Sequence, residues 1–300
     1  MLQYQLTCST VLTSLPSLTQ LAYLIAALEH GSWTKASQAV GVSASAFGQG
    51  ISELERRLGV VLFTKEGRTR VPTAEAHNAA IYARSALGEL ESLDRWADQV
   101  RTGESGSIKA GMIDTAAVHH FGETLVRFRA LHPKISVQLD VRPSAVLFDR
   151  LRAGELDVIV AVAPDDTGGL SLIELVTEPL YVYAPPATKV GHPETWGPWV
   201  GFPSGSRTRA LATQALRKRG ADVSIVAESS QPAVLCEMVR LGMGWTVLSA
   251  TDAEREPHQL KRATKTPIAK RVLTLAQRED RPATEALLRF VSMLVGGAPK

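Results

Sequence analysis

Basic side chains are concentrated near the start of the chain, where they could bind a polyanion. Between Gly31 and Thr73 there are six basic residues against three acidic ones, and three of the six fall within the stretch KEGRTR. Lysine and arginine side chains in such a cluster can pair with nucleic-acid phosphates without reading the base sequence. The net charge of the whole chain is +3, so the distribution of charge carries this argument and its sum does not.

Two short helices are expected to precede most of these basic residues. Ser17 and Gln20 form a capping box ahead of an amphipathic helix that ends near Gly31. Thr34 is placed to cap a second helix that runs to about Val40. These elements provide the frame on which the segment after them is positioned.

A third helix begins after a turn at Gly41, and a small hairpin follows it. Ser43 is placed to cap this helix, and VVLFTKEGRTRVPT predicts two short strands around a basic turn. Two short helices joined by a glycine turn are typical of a helix-turn-helix, whose second helix enters a major groove while the hairpin forms a wing. The alternative is a plain helical hairpin with a solvated charged loop. The predicted DNA-binding residues are Thr34, Lys35, Ser43, Ser45, Gln49, Lys65, Arg68 and Arg70.

A long helix without proline is expected after the wing, from Thr73 to about Arg101. Apolar residues recur along it at alternating spacings of four and three, which predicts a seam against a partner helix. We expect the partner to be the same helix of a second subunit, and the alternative is packing on its own domain. A dimer would place two reading helices on one duplex. The seam consists of Ala79, Ala83, Ala86, Leu90, Leu93 and Ala97.

The remaining two-thirds of the chain changes character after the stretch RTGESGS. Apolar runs such as DVIVAVA alternate with amphipathic helices, which is typical of a parallel α/β sheet. The pattern occurs twice, with crossings expected near Ala184 and Ala276, so we predict two α/β halves with a cleft between them. Such sheets bind ligands outside the carboxyl ends of their strands, where helix N-termini present amide groups.

Four stretches resemble motifs of the LysR-type transcriptional regulators. GSWTKAS and ISELERRLGVVLFTK are similar to the family's helix-turn-helix and wing, while GELDVIVA and VRLGMGWTVLS are similar to parts of its effector domain. The resemblance runs from about Ser17 to the C-terminus, and the joint order of the motifs is specific. It implies a homotetramer built from dimers that binds promoter DNA, takes a small co-inducer in the cleft and alters the access of RNA polymerase, which is a possible partner.

The predicted fold class is multi-domain, α followed by α/β. Residues 1–16 are an N-terminal extension or the product of a misplaced start codon, residues 17–75 a winged helix-turn-helix, and residues 76–104 the linker helix and hinge. Residues 105–300 form an effector domain like a periplasmic binding protein. Its subdomain I comprises about 105–183 and 277–300, and its subdomain II about 184–276.

The start of the third helix departs from the family's pattern. Many relatives read Ser-Gln-Pro-Ala-Leu-Ser-Arg-Gln there, whereas this chain reads SASAFGQG from Ser43 to Gly50. The long side chains are reduced to Gln49, which can pair with adenine. Each glycine costs the helix about 1 kcal/mol relative to alanine, yet it lets the backbone approach the groove. We therefore expect modest base readout, with much of the affinity from phosphates.

The resemblance, carried over position by position, implies an effector site at the ends of several strands. Hydroxyls and helix-start amides at these positions suit a small carboxylate or other anion, with Arg207 as its charge partner. For Thr115 and Ser144 the alternative is a simple helix cap. The predicted effector-binding residues are Thr115, Ser144, Ser204, Gly205, Ser206 and Arg207.

Competing functions find less support in the sequence. The chain lacks a Gly-x-Ser-x-Gly elbow, a P-loop, a complete Gly-x-Gly-x-x-Gly and an HExxH motif, which speaks against an enzyme. A solute-binding protein of transport shares the cleft, but it would need an export signal, and no basic residue precedes the first apolar stretch. His119, His120 and Glu123 suggest a metal, but adjacent histidines point about 100 degrees apart on a helix, which favours packing. We expect no metal and no cofactor.

Cysteine usage suits a reducing, cytoplasmic compartment. Cys8 and Cys236 match no disulfide or metal-ligand spacing, and Cys236 lies in the apolar stretch AVLCEMV, where we expect a core residue. A redox switch would need a second cysteine nearby. No apolar run reaches the roughly 18 residues of a membrane span, so we expect no membrane partner. The three tryptophans of the second half are expected in the core, with lining of the cleft as the alternative: Trp196, Trp199 and Trp245.

Overall fold

The computed structural model of the chain describes residues 15–66, 69–102, 106–256 and 259–298. They form two compact units, of which the first comprises the residues up to Asp98 together with Ala153–Glu155, and the second comprises the rest. Within these ranges, no helix combines the length and the apolar character that a membrane crossing would require.

The first unit begins with three helices and a hairpin. They are α1 (Leu18–His30), α2 (Trp33–Ala39), α3 (Ala44–Leu58), β1 (Phe63–Glu66) and β2 (Thr69–Pro72). The two strands are antiparallel, with Phe63 opposite Pro72 and Glu66 opposite Thr69. The core of this unit is built from apolar side chains of all three helices and the loop before β1, including Leu24, Phe47, Ile51, Leu54 and Leu62.

Capping bonds fix the beginnings of the three helices. Ser17 Oγ accepts a hydrogen bond from Gln20 N, and the Gln20 side chain accepts one from Ser17 N, which confirms the capping box. Ser43 Oγ accepts from Ala46 N at 3.2 Å, as expected for α3. The expectation for α2 is wrong by two residues, because Ser32 Oγ accepts from Lys35 N and Thr34 lies inside the helix.

The wing is attached to α3 by a single carboxylate. Glu55 Oε1 accepts from Leu62 N at 2.8 Å and from Phe63 N at 3.0 Å. Thr73 Oγ1, at the other end of the hairpin, donates to Leu62 O at 3.0 Å. Both ends of the hairpin are therefore held on the helical core. The long helix α4 (Ala74–Thr102) follows directly.

A six-stranded sheet organises the second unit. In spatial order it contains β4 (Ser136–Val141), β3 (Ser107–Met112), β5 (Val158–Val162), β10 (Ala269–Arg278), β6 (Leu170–Tyr183) and β9 (Thr246–Ser249). A second sheet pairs β7 (Trp199–Gly201) with β8 (Ile225–Glu228). The helices are α5 (Gly122–Leu131), α6 (Ser144–Arg152), α7 (Arg207–Arg217), α8 (Pro232–Arg240), α9 (Ala250–Ala253) and α10 (Glu285–Gly296).

The large sheet is mixed, where the sequence pattern predicted a parallel one. β3 runs parallel to β4 and β5, but β10 is antiparallel to both β5 and β6. The antiparallel pairs arise because β6 and β10 both pass between the two halves. These long strands run in opposite directions and pair with each other. An apolar run does not reveal the direction of its neighbours.

The crossings between the halves lie inside the two long strands and not at their ends. Val176 and Leu273 pack in the core of the first half, whereas Leu180 and Ile268 pack in that of the second. The expected crossings at Ala184 and Ala276 are thus displaced by several residues along each strand. The sequence pattern could not show this, because an uninterrupted strand has no breaker at the crossing.

The helix expected from Ala116 to Leu131 is divided. Residues Ala116–His120 form a π-helical turn, and α5 begins at Gly122. The inward positions are nevertheless as predicted, because Phe121 and Phe128 are both fully buried. The break changes the direction of the side chains before Gly122, and these include His119 and His120.

Candidate functional site

The face of α3 that the core leaves free carries the predicted base-reading side chains. Phe47 and Ile51 are fully buried, whereas Ser43, Ser45 and Gln49 are exposed. Gln49 is the longest exposed side chain among the first six residues of the helix. The exposed surface at the start of α3 is therefore small and polar, with one long hydrogen-bonding group that can reach a base edge.

The two glycines of α3 make room for aromatic rings of the same unit. A Cβ at position 50 would lie 2.5 Å from Cδ2 of Tyr23, and one at position 48 would lie 3.2 Å from Cζ3 of Trp33. Tyr23 and Trp33 in turn pack against Phe47, at ring-centroid distances of 5.0 and 5.8 Å. The sequence suggested that the glycines let the backbone approach DNA. Within the domain they have a packing reason of their own.

Three exposed cations surround this face. Lys35 lies at the start of α2, and Lys65 and Arg70 lie opposite each other on the wing. The Arg70 guanidinium lies over the ring of Trp33, 5.1 Å from its centroid. Thr34 is exposed beside Lys35. These positions suit contacts to phosphates on either side of the helix. The predicted contact Arg68 lies outside the described residues.

Two further arginines of α3 share one carboxylate within the helix. Arg56 and Arg57 both donate to the carboxylate of Glu53, at 2.6 and 2.7 Å. These hydrogen bonds lower the pKa of Glu53 to about 2. The basic residues of the segment are thus divided into a paired set on the helix and the exposed set of Lys35, Lys65 and Arg70.

The predicted seam on α4 divides into two parts. Ala83 is fully buried and Ala79 partly buried, and both pack on the core of their own unit, so that the alternative interpretation holds for this part. Leu90 and Leu93 lie further along and are 39% and 58% exposed, and Ala97 is also exposed. Ala86, between the two parts, is partly buried.

A cleft of about 460 Å³ lies between the two halves of the second unit. The structure brings five of the six predicted effector residues together on its walls, namely Thr115, Ser144, Ser204, Gly205 and Ser206. Thr115 makes no capping bond, and Ser144 Oγ accepts from Val162 N on β5 at 3.2 Å. The simple cap proposed as an alternative for these two side chains is therefore not what the structure contains.

Three helices begin at this cleft. Its lining includes the first residues of α6, the Ser204–Ser206 loop that leads into α7, and the Ser230–Pro232 segment that opens α8. Ser206 Oγ caps α7 by accepting from Arg209 N at 3.4 Å. Helix N-termini carry unpaired amide groups and partial positive charge, so they favour an acidic or otherwise electron-rich ligand group.

Arg207 does not belong to this cleft. Its guanidinium pairs with Asp165, at 2.5 Å between Nη2 and Oδ1, and borders an open groove beside α7. The first residue of a helix can point its side chain away from the ligand side even when its amide faces that side. The side chain that sequence reasoning chose as charge partner is therefore displaced from the proposed ligand.

Sequence reasoning missed the charged floor of the cleft. Arg271 lines it although the residue is only 2% exposed, and its guanidinium donates to Glu178 at 2.7 Å and to Asp252 at 2.8 Å. Burial opposes a charged guanidinium, but the two carboxylates raise the pKa of Arg271. The available signal was the charge within two largely apolar strand stretches, RVLTL with Arg271 and LVTEPLY with Glu178.

Glu178 remains ionised in this setting. Burial raises the pKa of a carboxyl group, but hydrogen bonds and charge from His120 and Arg271 outweigh it and bring the pKa of Glu178 to about 2. His120 Nε2 lies 3.0 Å from Glu178 Oε1. His119, by contrast, lies near Arg255 on the exposed side, and burial lowers its pKa. The two adjacent rings thus have separate partners, as the packing interpretation expected.

The tryptophans and the second cysteine belong to the core. Trp196, Trp199 and Trp245 are buried together in the second half, with Trp196 stacked on Trp245 at 5.8 Å. Cys236 is fully buried on α8, and its Sγ lies 3.6 Å from Asp252 O. None of these four residues lines the cleft between the halves.

Comparison with known families covers almost the whole described chain. A model of the LysR substrate binding domain matches residues 101–298, and a model of the bacterial regulatory helix-turn-helix protein, lysR family, matches residues 18–77. Together they account for both units. The two-part architecture expected from the sequence is confirmed.

Individual relatives agree with this assignment. The chain is 28% identical over 283 residues to YfeR, an uncharacterized HTH-type transcriptional regulator of Shigella flexneri, with 90% of each chain covered. It is 32% identical over 171 residues to the HTH-type transcriptional regulator EstR of Acinetobacter baylyi, with 57% of each covered. The crystal structure of CbnR, a LysR family transcriptional regulator, shares the fold with a TM-score of 0.68 at 20% identity, covering 95% of this chain and 100% of that one.

Proposed function

Because the chain belongs to the LysR-type family of DNA-binding transcriptional regulators, we propose that its first unit binds promoter DNA through α3 and the wing, and that a small polar effector in the cleft of its second unit alters that binding. A helix-turn-helix domain followed by an effector-binding domain is the composition of this family, and both are present here. The proposal assigns the residues that contact DNA and the effector, and the chemical groups that they recognise.

For DNA, we assign base contact to Gln49 and Ser45 and phosphate contact to Lys35, Lys65 and Arg70. The exposure of all five side chains supports this division. A single glutamine can form a bidentate pair with adenine, whereas lysine and arginine on the wing act without regard to sequence. Ser43 and Thr34 flank the same face, and Arg68 completes the expected basic set.

For the effector, the observation that carries the proposal is the convergence of five predicted side chains and three helix starts on one cleft. A volume of about 460 Å³ suits a small organic molecule. The sequence suggested a carboxylate or other anion paired with Arg207. Because Arg207 faces Asp165, an acidic group of the ligand would rest on hydroxyls and amides at the starts of α6 and α7 instead.

We further propose that two chains associate through the C-terminal part of α4, and that such dimers form a tetramer in the cytoplasm. The exposed apolar side chains of Leu90 and Leu93 support this assignment, since exposed apolar seams on long helices are typical of coiled-coil contacts. Ligand binding can shift the assembly, and with it access of RNA polymerase, only by its differential affinity for two arrangements. No catalytic step is part of the proposal.

A gel-shift titration tests the DNA-binding part. The purified full chain is titrated onto DNA from beside its own gene and onto a scrambled duplex of equal length and composition, each at two salt concentrations. We expect tighter binding to the native sequence and weaker binding to both duplexes at the higher salt. Equal affinity for the two duplexes at both salts would contradict sequence-specific binding, while salt-insensitive binding would contradict the phosphate contacts.

A further inference from the structure

Six buried polar side chains meet beneath the effector cleft and join its two halves. Thr115 and His120 belong to the first half, and Ser249 and Asp252 to the second. Glu178 and Arg271 lie on β6 and β10, the two strands that cross between the halves. The group therefore sits at the hinge of the domain, on both crossing strands at once.

The hydroxyl of Thr115 forms the direct link across the halves. Thr115 Oγ1 donates to Asp252 Oδ1 at 2.7 Å and accepts from Arg271 Nη2 at 3.1 Å. Arg271 Nη2 also donates to Asp252 Oδ2 at 2.8 Å. Ser249 Oγ donates to the same carboxylate oxygen at 3.0 Å. Movement of Thr115 relative to Asp252 would break a buried hydrogen bond. This bond therefore helps to fix the orientation of one half relative to the other.

One end of Arg271 is left for the cleft. Within the described part of the chain, its hydrogen bonds are made by Nε and Nη2, to Glu178, Thr115, Ser249 and Asp252. Arg271 lines the cleft together with Thr115. The remaining nitrogen, Nη1, thus faces the ligand space as a donor, where an acceptor of the ligand can take the place of water.

The charge of the group argues against a carboxylate ligand at this nitrogen. Two buried carboxylates, Glu178 and Asp252, face one guanidinium. With His120 neutral the group carries one excess negative charge, and with His120 protonated it is balanced. In neither state does it have positive charge to spare for an anion. Asp114 on the cleft wall adds negative charge, and Arg142 there is paired with Asp140 at 3.0 Å.

We propose that Arg271 is a specificity-determining residue that donates from Nη1 to a neutral acceptor of the effector, a carbonyl or hydroxyl oxygen, and that Glu178 and Asp252 are positioning residues that exclude a carboxylate from this place. This inference rests on the proposed function of the cleft. The inference also gives the ligand an orientation in the cleft. Any acidic group lies at the helix starts, and a neutral acceptor lies at the floor beside Arg271. This contact also connects occupancy to the hinge, because the ligand touches the same guanidinium that holds Thr115 and Asp252.

The test uses matched amide and acid probes on the full chain, each with one carboxylate for the helix starts and a second group that differs. Malonamate with malonate and succinamate with succinate are compared at constant ionic strength by saturation-transfer NMR, on the wild-type protein and on Asp252→Asn. The asparagine keeps the shape of the side chain and removes one negative charge. We expect the wild type to prefer each amide by roughly tenfold and Asp252→Asn to reverse that preference, since removing a buried charge near the ligand is worth a factor of this order.

A second variant guards against misfolding of the first. Glu178→Gln changes the charge of the same group from outside the cleft lining, so it should move the preference toward the acids as well. Unchanged preference in Glu178→Gln would overturn the inference even if Asp252→Asn binds no probe, because a guanidinium relieved of a charged partner must then take up a carboxylate.

A cleft-blocking variant separates this inference from the proposed function. Ser230 is exposed on the cleft wall, and Ser230→Trp fills the entrance. Probe binding that survives Ser230→Trp would lie outside the cleft and would count against both proposals. A different result would reject only the role of Arg271. In that case Ser230→Trp abolishes binding, which keeps the cleft as the ligand site, but the wild type and both charge variants bind acid and amide equally well.

Discussion

The ring of Tyr23 on α1 lies against Gly50 on α3, so closely that a Cβ at position 50 would be 2.5 Å from Cδ2 and 2.6 Å from Cε2. Contacts of this length do not occur between a Cβ and an aromatic ring. The packing of Tyr23 against α3 therefore requires glycine at position 50. The helix that we propose to contact DNA is thus set against α1 by the absence of a side chain. Its geometry depends on a residue that contributes nothing to base recognition.

Gly50→Ala should destabilise the first unit. Alanine gains about 1 kcal/mol of helix propensity, but overpacking against a ring costs roughly 1–3 kcal/mol, so we expect a net loss of about 1 kcal/mol in the free energy of unfolding. Urea unfolding of the full chain measures it. Gly48→Ala is the matched control, because its Cβ would lie 3.2 Å from the edge of Trp33 and would gain the same propensity. Equal stability of the two variants would contradict the assigned role of Tyr23.

Gln49→Ala should relax sequence preference while leaving general DNA affinity largely intact. Loss of a bidentate pair to adenine costs about 1–3 kcal/mol on the preferred site and nothing on other sequences. Competition gel shifts with single-base variants of the site measure this. Lys65→Ala is the contrasting variant, which should weaken binding to all sequences and flatten the salt dependence. Unaltered preference in Gln49→Ala would exclude Gln49 as the reading residue.

Local signals in the sequence were sufficient for the elements and for most of the cleft. The capping box at Ser17, the turn glycines and the hydroxyl residues at strand ends each act within a few positions, so pattern and resemblance located them. The pairing of Arg271 with Asp252 was not predicted, because the two residues lie 19 positions apart in sequence. A hydrogen bond between residues so far apart produces no periodic pattern in the sequence. The wrong prediction for Arg207 has the same cause. The direction of its side chain depends on Asp165, which lies 42 residues away in sequence.

Leu93→Glu should weaken self-association of the chain. The side chain is 58% exposed on α4, and a charge there would be buried without a partner if two such helices pair. Sedimentation equilibrium measures the shift toward smaller species. Ile81→Glu is the control, since Ile81 is 63% exposed on the same helix but roughly 120 degrees around it from Leu93. An effect of Ile81→Glu equal to that of Leu93→Glu would argue against this seam.

Glu178 should make the second unit sensitive to acid. Its pKa of about 2 in the folded chain lies below the ordinary value of 4.5, so its stabilising contribution is fully present above that value and is lost as the pH falls toward 2. Between neutral pH and about pH 3.5, we expect it to account for roughly 1 kcal/mol of lost stability. Urea unfolding of the wild type and Glu178→Gln at both pH values measures this. An identical pH dependence in the two proteins would contradict the assignment.

Cys236 should be unreactive in the folded chain. Burial, and secondarily the negative charge of Asp252, raise the pKa of its thiol to about 12, so the thiolate that reacts with disulfides is almost absent near neutral pH. A Cys8→Ser variant leaves Cys236 as its single cysteine, and its reaction with Ellman's reagent at about pH 8 should be slow in buffer and complete within minutes in denaturant. Rapid reaction of the folded variant would mean that α8 opens readily, and it would restore a redox role for Cys236.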